Sequence, residues 1–132
     1  MSNAVVLDSE GLSRAADRDA DVIEWIEAAR RADLPVVVSA ATIVEAANPT
    51  TKRAALDWTL SRLSVEPLTK GLAKRSTALL QEAGRHGHEA ALDAMVCATA
   101  LAISGRVVIL TSDPDDIGEL TSAHPQIVVQ SL

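Results

Sequence analysis

Three short runs of branched apolar residues, AVVL (4–7), PVVVS (35–39) and RVVIL (106–110), constrain this chain more than any other feature. Each is too short for a helix, lacks polar alternation, and is separated from the next by segments with helical periodicity. A strand that is apolar on both faces must be covered on both, which a parallel sheet between two layers of helices achieves. The chain of 132 residues is therefore expected to be α/β. It forms a single three-layer domain, 1–132, with a central, mainly parallel β-sheet flanked by helices.

The intervening segments fit that plan. DADVIEWIEAARRADLP is an amphipathic helix with acids at its start and Arg30 and Arg31 near its end, as the helix dipole favours. AATIVEAAN is a short helix closed by Asn-Pro, and TTKRAALDWTLSRL a third, with Leu56, Leu60 and Leu63 at helical spacing. VEPL suits a short edge strand, because Pro67 cannot donate to a central ladder. TKGLAKRSTALLQEAG opens on a Thr69 cap and closes at Gly84. EAALDAMVCATALAIS is apolar nearly all round, the mark of a central, buried helix. DPDDIGEL is a short helix and QIVVQ a last strand. The stretch between the first strand and Asp19 carries no assigned element.

Composition narrows the function classes. There is no Phe or Tyr and only two Trp, so the core must be built from Ala, Val, Leu and Ile. A net charge of −6 argues against binding nucleic acid by bulk electrostatics, so a phosphate-bearing partner needs local cations. Cys97 is the only cysteine, which leaves no internal disulfide and no cysteine metal site; within AMVCATALAI it reads as an inert buried thiol. That run is too short to span a bilayer, and the start of the chain lacks a signal-peptide pattern, so the expectation is a soluble, cytoplasmic protein without a membrane partner. No P-loop or G-x-G-x-x-G is present, and Ser9 and Ser13 lack a nucleophile-elbow context. His86, His88 and His124 read as solvated loop residues.

Three carboxylates stand out by their surroundings. Asp8 is the only charge in residues 1–9, Glu45 the only one between Leu34 and Thr51, and Asp93 the only one from Ala90 through Gly105. A buried carboxylate needs a compensating cation, yet no Lys or Arg lies within helical reach of Asp93 or Glu45. Asp8 and Asp113 each follow a strand and so belong to the rim where open α/β sheets build their sites. Each acid also has a plainer role. Asp113 before Pro114 suits a helix cap, Asp8 a turn, Glu45 a solvated helix face, and Asp93 an exposed stripe. Convergence on a hard divalent ion such as Mg²⁺ accounts for all four together. Lys70, Lys74 and Arg75 form a small basic patch, either a solvated face or a guide for phosphates.

These residues, in this order, resemble the PIN-domain ribonucleases, particularly the small VapC-type toxins of toxin–antitoxin pairs. The likeness runs nearly end to end: VVLD, then Glu45 of TIVEAA, then ALDAMVCATALAISGRVVILTSDPDDIGEL, the most specific part. By position, Asp8, Glu45, Asp93 and Asp113 match the family's acidic quartet, with Asp116 a further acid. The resemblance implies an endoribonuclease dependent on Mg²⁺ or Mn²⁺, with Asp8, Asp93, Asp113 and Asp116 at the metal. It also implies an RNA substrate, a cognate antitoxin and, by family habit, a homodimer. Glu10, preceded by Ser9, departs from the small Ser or Asn usual two residues after the first Asp. Two rival readings stay open: a non-catalytic PIN-like binding module, and a receiver-like phosphotransfer module. The second is disfavoured because no Lys occurs after residue 74. Trp25 and Trp58 are either core fillers or anchors for a partner helix.

Overall fold

The three apolar runs become the three central strands of a five-stranded sheet. The computed structural model describes residues 2–132 and every side chain in that span except that of Glu89. The strands β1 (Ala4–Leu7), β2 (Val36–Ser39), β3 (Ser64–Glu66), β4 (Val107–Thr111) and β5 (Ile127–Ser131) lie in the order β3-β2-β1-β4-β5. All four pairings are parallel, with Val6 of β1 opposite Val37 on one side and Ile109 on the other. The edge strand expected around Pro67 is β3; its three residues are exposed and it stops before the proline.

Helices α1 (Ser9–Ala16), α2 (Ala20–Arg31), α3 (Ala40–Ala46) and α4 (Arg53–Ser61) cover one face. There Leu12, Ala15, Val22 and Leu56 pack on Val5, Leu7, Val38 and Leu110. Helices α5 (Lys70–Ala83), α6 (His88–Leu101) and α7 (Pro114–Leu120) cover the other, where Leu79, Cys97 and Ile117 pack on Ala4, Val6, Val107 and Ile109. Successive strand residues thus serve opposite layers, as the pleat requires. Each fully buried Val, Leu or Ile contributes about 1.5–3 kcal/mol relative to exposure. Cys97 is buried, and burial followed by the nearby Asp93 charge pushes its thiol up to about 12, which keeps it an inert core residue.

One element is absent from the sequence-level expectation. Residues 9–16 form α1, which Asp8 caps by accepting the Gly11 amide. Gly11 weakens the helical signal of SEGLSRAA, but its role is packing. A Cβ at this position would lie 3.2 Å from Cβ of Leu7 and 3.4 Å from Oδ1 of Asp8, so glycine lets the helix press against β1. Elsewhere local chemistry acts as expected: Thr69 caps α5, and Gly84 ends it in the left-handed conformation at φ 64°, while Asp19, one of the acids at the start of the α2 segment, serves as its cap. No described helix is long and apolar enough to cross a membrane.

From β1 the chain winds outward through β2 to β3, then returns to place β4 on the opposite side of β1. The connections leaving β1 and β4 therefore diverge, opening a crevice beyond their carboxyl ends. Asp8 and Asp113 stand at that point.

Candidate active and metal site

The crevice is a cleft of about 310 Å³ whose lining includes Glu10, Glu45, Asp93 and Asp113 together with Ser9 and Asn48. Asp8 is buried beside it, 4% exposed. Its Oδ1 accepts the Gly11 N–H at 2.8 Å and its Oδ2 accepts the Ser112 N–H at 3.1 Å, so one carboxylate ties the start of α1 to the β4–α7 connection. Burial raises the Asp8 pKa, and bonds from the Gly11 amide, the Thr111 hydroxyl and the Ser112 amide partly offset this. Thr111 also accepts the Asp113 N–H at 2.8 Å, which fixes the turn that carries Asp113.

Asp93 is only 8% exposed, and its surroundings supply no hydrogen bond among the described residues. Burial pushes its pKa up to about 7, reinforced in order by the charges of Asp113, Asp116, Asp8 and Glu45. A carboxylate that loses water without gaining a donor requires a cation if it is to stay ionised. Asp113 occupies the N-cap position of α7 with Pro114 behind it, yet its side chain makes no capping bond. The capping role is therefore positional, and the carboxylate is left to line the cleft.

Glu45 lies exposed on α3 and accepts a hydrogen bond from the Ser9 hydroxyl, an α1 contact across 36 residues of sequence. Asp116 does not line the cleft: Arg85 holds it at 3.2 Å and also pairs with Glu119. It acts on the site as charge, second among the acids that raise Asp93. Glu10, where the family pattern expects a small residue, adds a further carboxylate to the cleft wall and is drawn to Arg14 at 3.0 Å. Ser13 and Asn48 line the cleft as well, and no pattern in the sequence marks them.

The donors are carboxylate and hydroxyl oxygens and the Asn48 amide, with no His or Cys in the lining, a set suited to hard divalent ions such as Mg²⁺ or Mn²⁺. No three described acidic, His or Cys side chains are already drawn close enough to enclose an ion. The unpartnered Asp93 nonetheless matches what a cation would satisfy. Lys70, Lys74 and Arg75 are exposed on α5 and none lines the cleft. Trp25 is half-buried against the α1–α4 face, whereas Trp58 is 51% exposed. His124 differs from the solvated loop expected for it. Its side chain is 19% exposed and faces Glu82 at 3.7 Å, because the Thr121–His124 turn folds it back toward α5.

A model of the PIN domain matches residues 5–120, a span that holds both ends of the cleft. The chain belongs to the PIN-domain family. Solved structures share the fold of this PIN domain over nearly their whole length. One chain of a DNA-bound VapBC from Salmonella typhimurium matches with TM-score 0.71 and 16% identity, covering 99% of this chain and 98% of that one. VapBC2 from Rickettsia felis bound to a promoter DNA fragment matches at 0.68 and 12%, covering 98% of each chain. A toxin–antitoxin complex from Klebsiella pneumoniae matches at 0.67 and 22%, covering 95% and 96%. No curated protein matches it in sequence. At such identities the likeness is one of fold, and it accounts for the all-parallel sheet and the cleft at its switch point.

Proposed function

We propose that this PIN domain is a ribonuclease that hydrolyses RNA phosphodiester bonds with a divalent metal ion, and that it is the toxin of a toxin–antitoxin pair. The observation that carries the reading is Asp93, a buried carboxylate with no donor among the described residues, surrounded by four other acids at the switch point of the sheet. Such a site repels RNA until cations neutralise it, so metal is needed for binding as well as chemistry. Asp8, Asp93 and Asp113 would hold Mg²⁺ or Mn²⁺, with Asp116 contributing charge from behind Arg85. When bound, the ion supplies Lewis acidity toward a phosphate oxygen and toward water.

The protein's own groups do the rest. Asp8 is held rigid by two backbone amides, so it cannot swing away as charge builds in the cleft. Glu45, already accepting the Ser9 proton in a hydrogen bond, is placed to receive a proton in the cleft. The decisive experiment incubates the chain with mixed RNA in Mg²⁺, in Mn²⁺ and in excess chelator. Cleavage should occur with at least one ion and stop in chelator. Intact RNA under all three conditions would refute the assignment and leave the binding-module reading.

The antitoxin partner is supported by the like-folded chains, which come from toxin–antitoxin complexes. A free cytoplasmic ribonuclease would damage its host, so expression of the chain alone should arrest growth, and a cognate antitoxin should restore it. Normal growth at high levels of active protein would overturn the toxin role. The α5 patch permits a further check. If Lys70, Lys74 and Arg75 steer RNA from outside the cleft, their joint replacement by Ala should weaken RNA binding. The salt slope should fall by about 2 units for three phosphates, with stability within about 0.5 kcal/mol of wild type. An unchanged slope would make the patch an ordinary solvated face.

A further inference from the structure

Away from the cleft, the most exposed aromatic of the protein carries two arginines. The Arg18 guanidinium lies 5.4 Å from the Trp58 ring centroid and that of Arg62 lies 5.3 Å from it. Trp58 is half-exposed on α4, and the groove beside it, between α2 and α4, also holds Arg30. Glu27 is the only acid in that lining. Among the described residues, none of these three arginines forms an ion pair, whereas Arg14, Arg31 and Arg85 all do. Arg18 reaches the ring from a left-handed backbone at φ 62°, a conformation unfavourable for a side chain of its kind. In a chain of net charge −6, two guanidinium groups over one exposed indole, with a third in the adjoining groove and none of them ion-paired among the described residues, are a local positive site.

This site is linked to the acidic cleft by surface. Ser13 and Asn48 border both the cleft and a small depression that continues to Asp17 and Leu56. Arg18 is the next residue after Asp17, so the depression leads to the Arg18 side of the site. From Ser9 at the cleft to Asp17 the path along α1 is about 12 Å, short enough for one strand to touch both ends. An exposed indole with two arginines over it is the surface chemistry that holds single-stranded nucleic acid without reading its sequence.

We propose that Arg18, Arg62 and Trp58 grip the backbone of the RNA strand beyond the scissile phosphate, compensating for an acidic cleft that repels its own substrate. This rests on the ribonuclease reading for the identity of the strand, and its test separates the two. Binding of a labelled 12-nucleotide single-stranded RNA is measured by anisotropy across a salt series, in Mg²⁺, on the Asp93→Asn chain so that the probe stays intact. Adding Arg18→Gln and Arg62→Gln should weaken binding about tenfold and reduce the slope of log affinity against log salt by about 1.4, the value for two phosphates on a single strand. Trp58→Leu should weaken binding several-fold with little change in slope. Melting curves verify that each variant folds, and Arg18→Gln alone, with half the slope change, serves if the double variant does not.

Unchanged affinity and slope in the folded variants would overturn the proposal. So would an unchanged RNA affinity with loss of binding to an acidic amphipathic helical peptide, which would assign the groove to a protein. Cleavage by the wild-type chain is assayed in parallel. Its absence counts against the ribonuclease reading alone, because the anisotropy data decide the contact.

Discussion

Replacing Asp93 by Asn is expected to abolish RNA cleavage and, at the same time, to make the metal-free protein harder to melt. The first effect follows from removing the cleft carboxylate that is buried with no donor among the described residues; losing about 4 kcal/mol of transition-state stabilisation lowers the rate about a thousandfold. The second follows from linkage. The pKa of Asp93 moves from 3.8 to about 7 on folding, so between those values the folded state binds the proton that the unfolded state has released. The contribution of protonated Asp93 to stability is therefore complete below pH 3.8 and is lost as pH rises through 7. Asparagine has nothing to lose over that range.

A rise from 3.8 to about 7 corresponds to about 4 kcal/mol in full; about 2 kcal/mol is expected here, because the cleft opens to solvent. For a chain of this length that is about 7 °C in melting temperature. In chelator, the variant should gain on wild type between about pH 4 and pH 7 and hold that advantage above it. Mn²⁺ should then raise the melting temperature of the wild type more than that of the variant, since only the wild type offers the full donor set. Wild-type cleavage by the variant, or a melting difference independent of pH, would refute this account of Asp93.

Asp8→Ala should shift stability in the opposite direction, although Asp8 belongs to the same acidic group. Its carboxylate accepts the Gly11 amide and the Ser112 amide, and both lose their partner when it is truncated. Losing a helix cap costs about 1 kcal/mol and leaving a second amide unsatisfied costs about 1–2 more, for a fall of about 8–10 °C. Asp8→Asn should fall between, since Oδ1 can still serve Gly11 while the new amide group confronts the Ser112 N–H donor-to-donor. At pH 8 in chelator the expected order of melting temperature is Asp93→Asn, wild type, Asp8→Asn, Asp8→Ala. All site variants moving together in one direction would mean that charge relief, and not hydrogen bonding, governs both residues. RNA cleavage should be lost in each, so melting and activity together distinguish an acid that holds the fold from one that strains it.

The departure at Glu10 takes on a definite form in the structure. Its carboxylate joins the cleft wall while Arg14, one turn further along α1, draws it aside. The extra charge is thus partly compensated by a neighbour four residues away, an arrangement that the isolated substitution does not disclose.

How far the sequence could be read depended on whether a feature was written locally. Continuous apolar strands and the all-apolar α6 follow from burial, and burial leaves a periodic trace in any chain. The cap at Thr69 is equally local, a side chain meeting its own backbone three residues on. Asp93 was legible for the same reason: one charge in an apolar helix is conspicuous without coordinates. What escaped was decided at a distance. The helix α1 has only eight residues, with a glycine inside; it stands because Asp8 caps it and because Gly11 fits against Leu7. The strand order is set by which helices pack together between the strands, a choice that periodicity does not record. Arg85 reaches Asp116 across 31 residues, and Ser9 reaches Glu45 across 36. The sequence by itself determined the layers and the acids that would be costly to bury. Only the tertiary structure decided which acids share a cleft, which are held by amides or by arginine, and which one finds no donor among the described residues, because Coulomb and hydrogen-bond energies depend on separation in space and not along the chain.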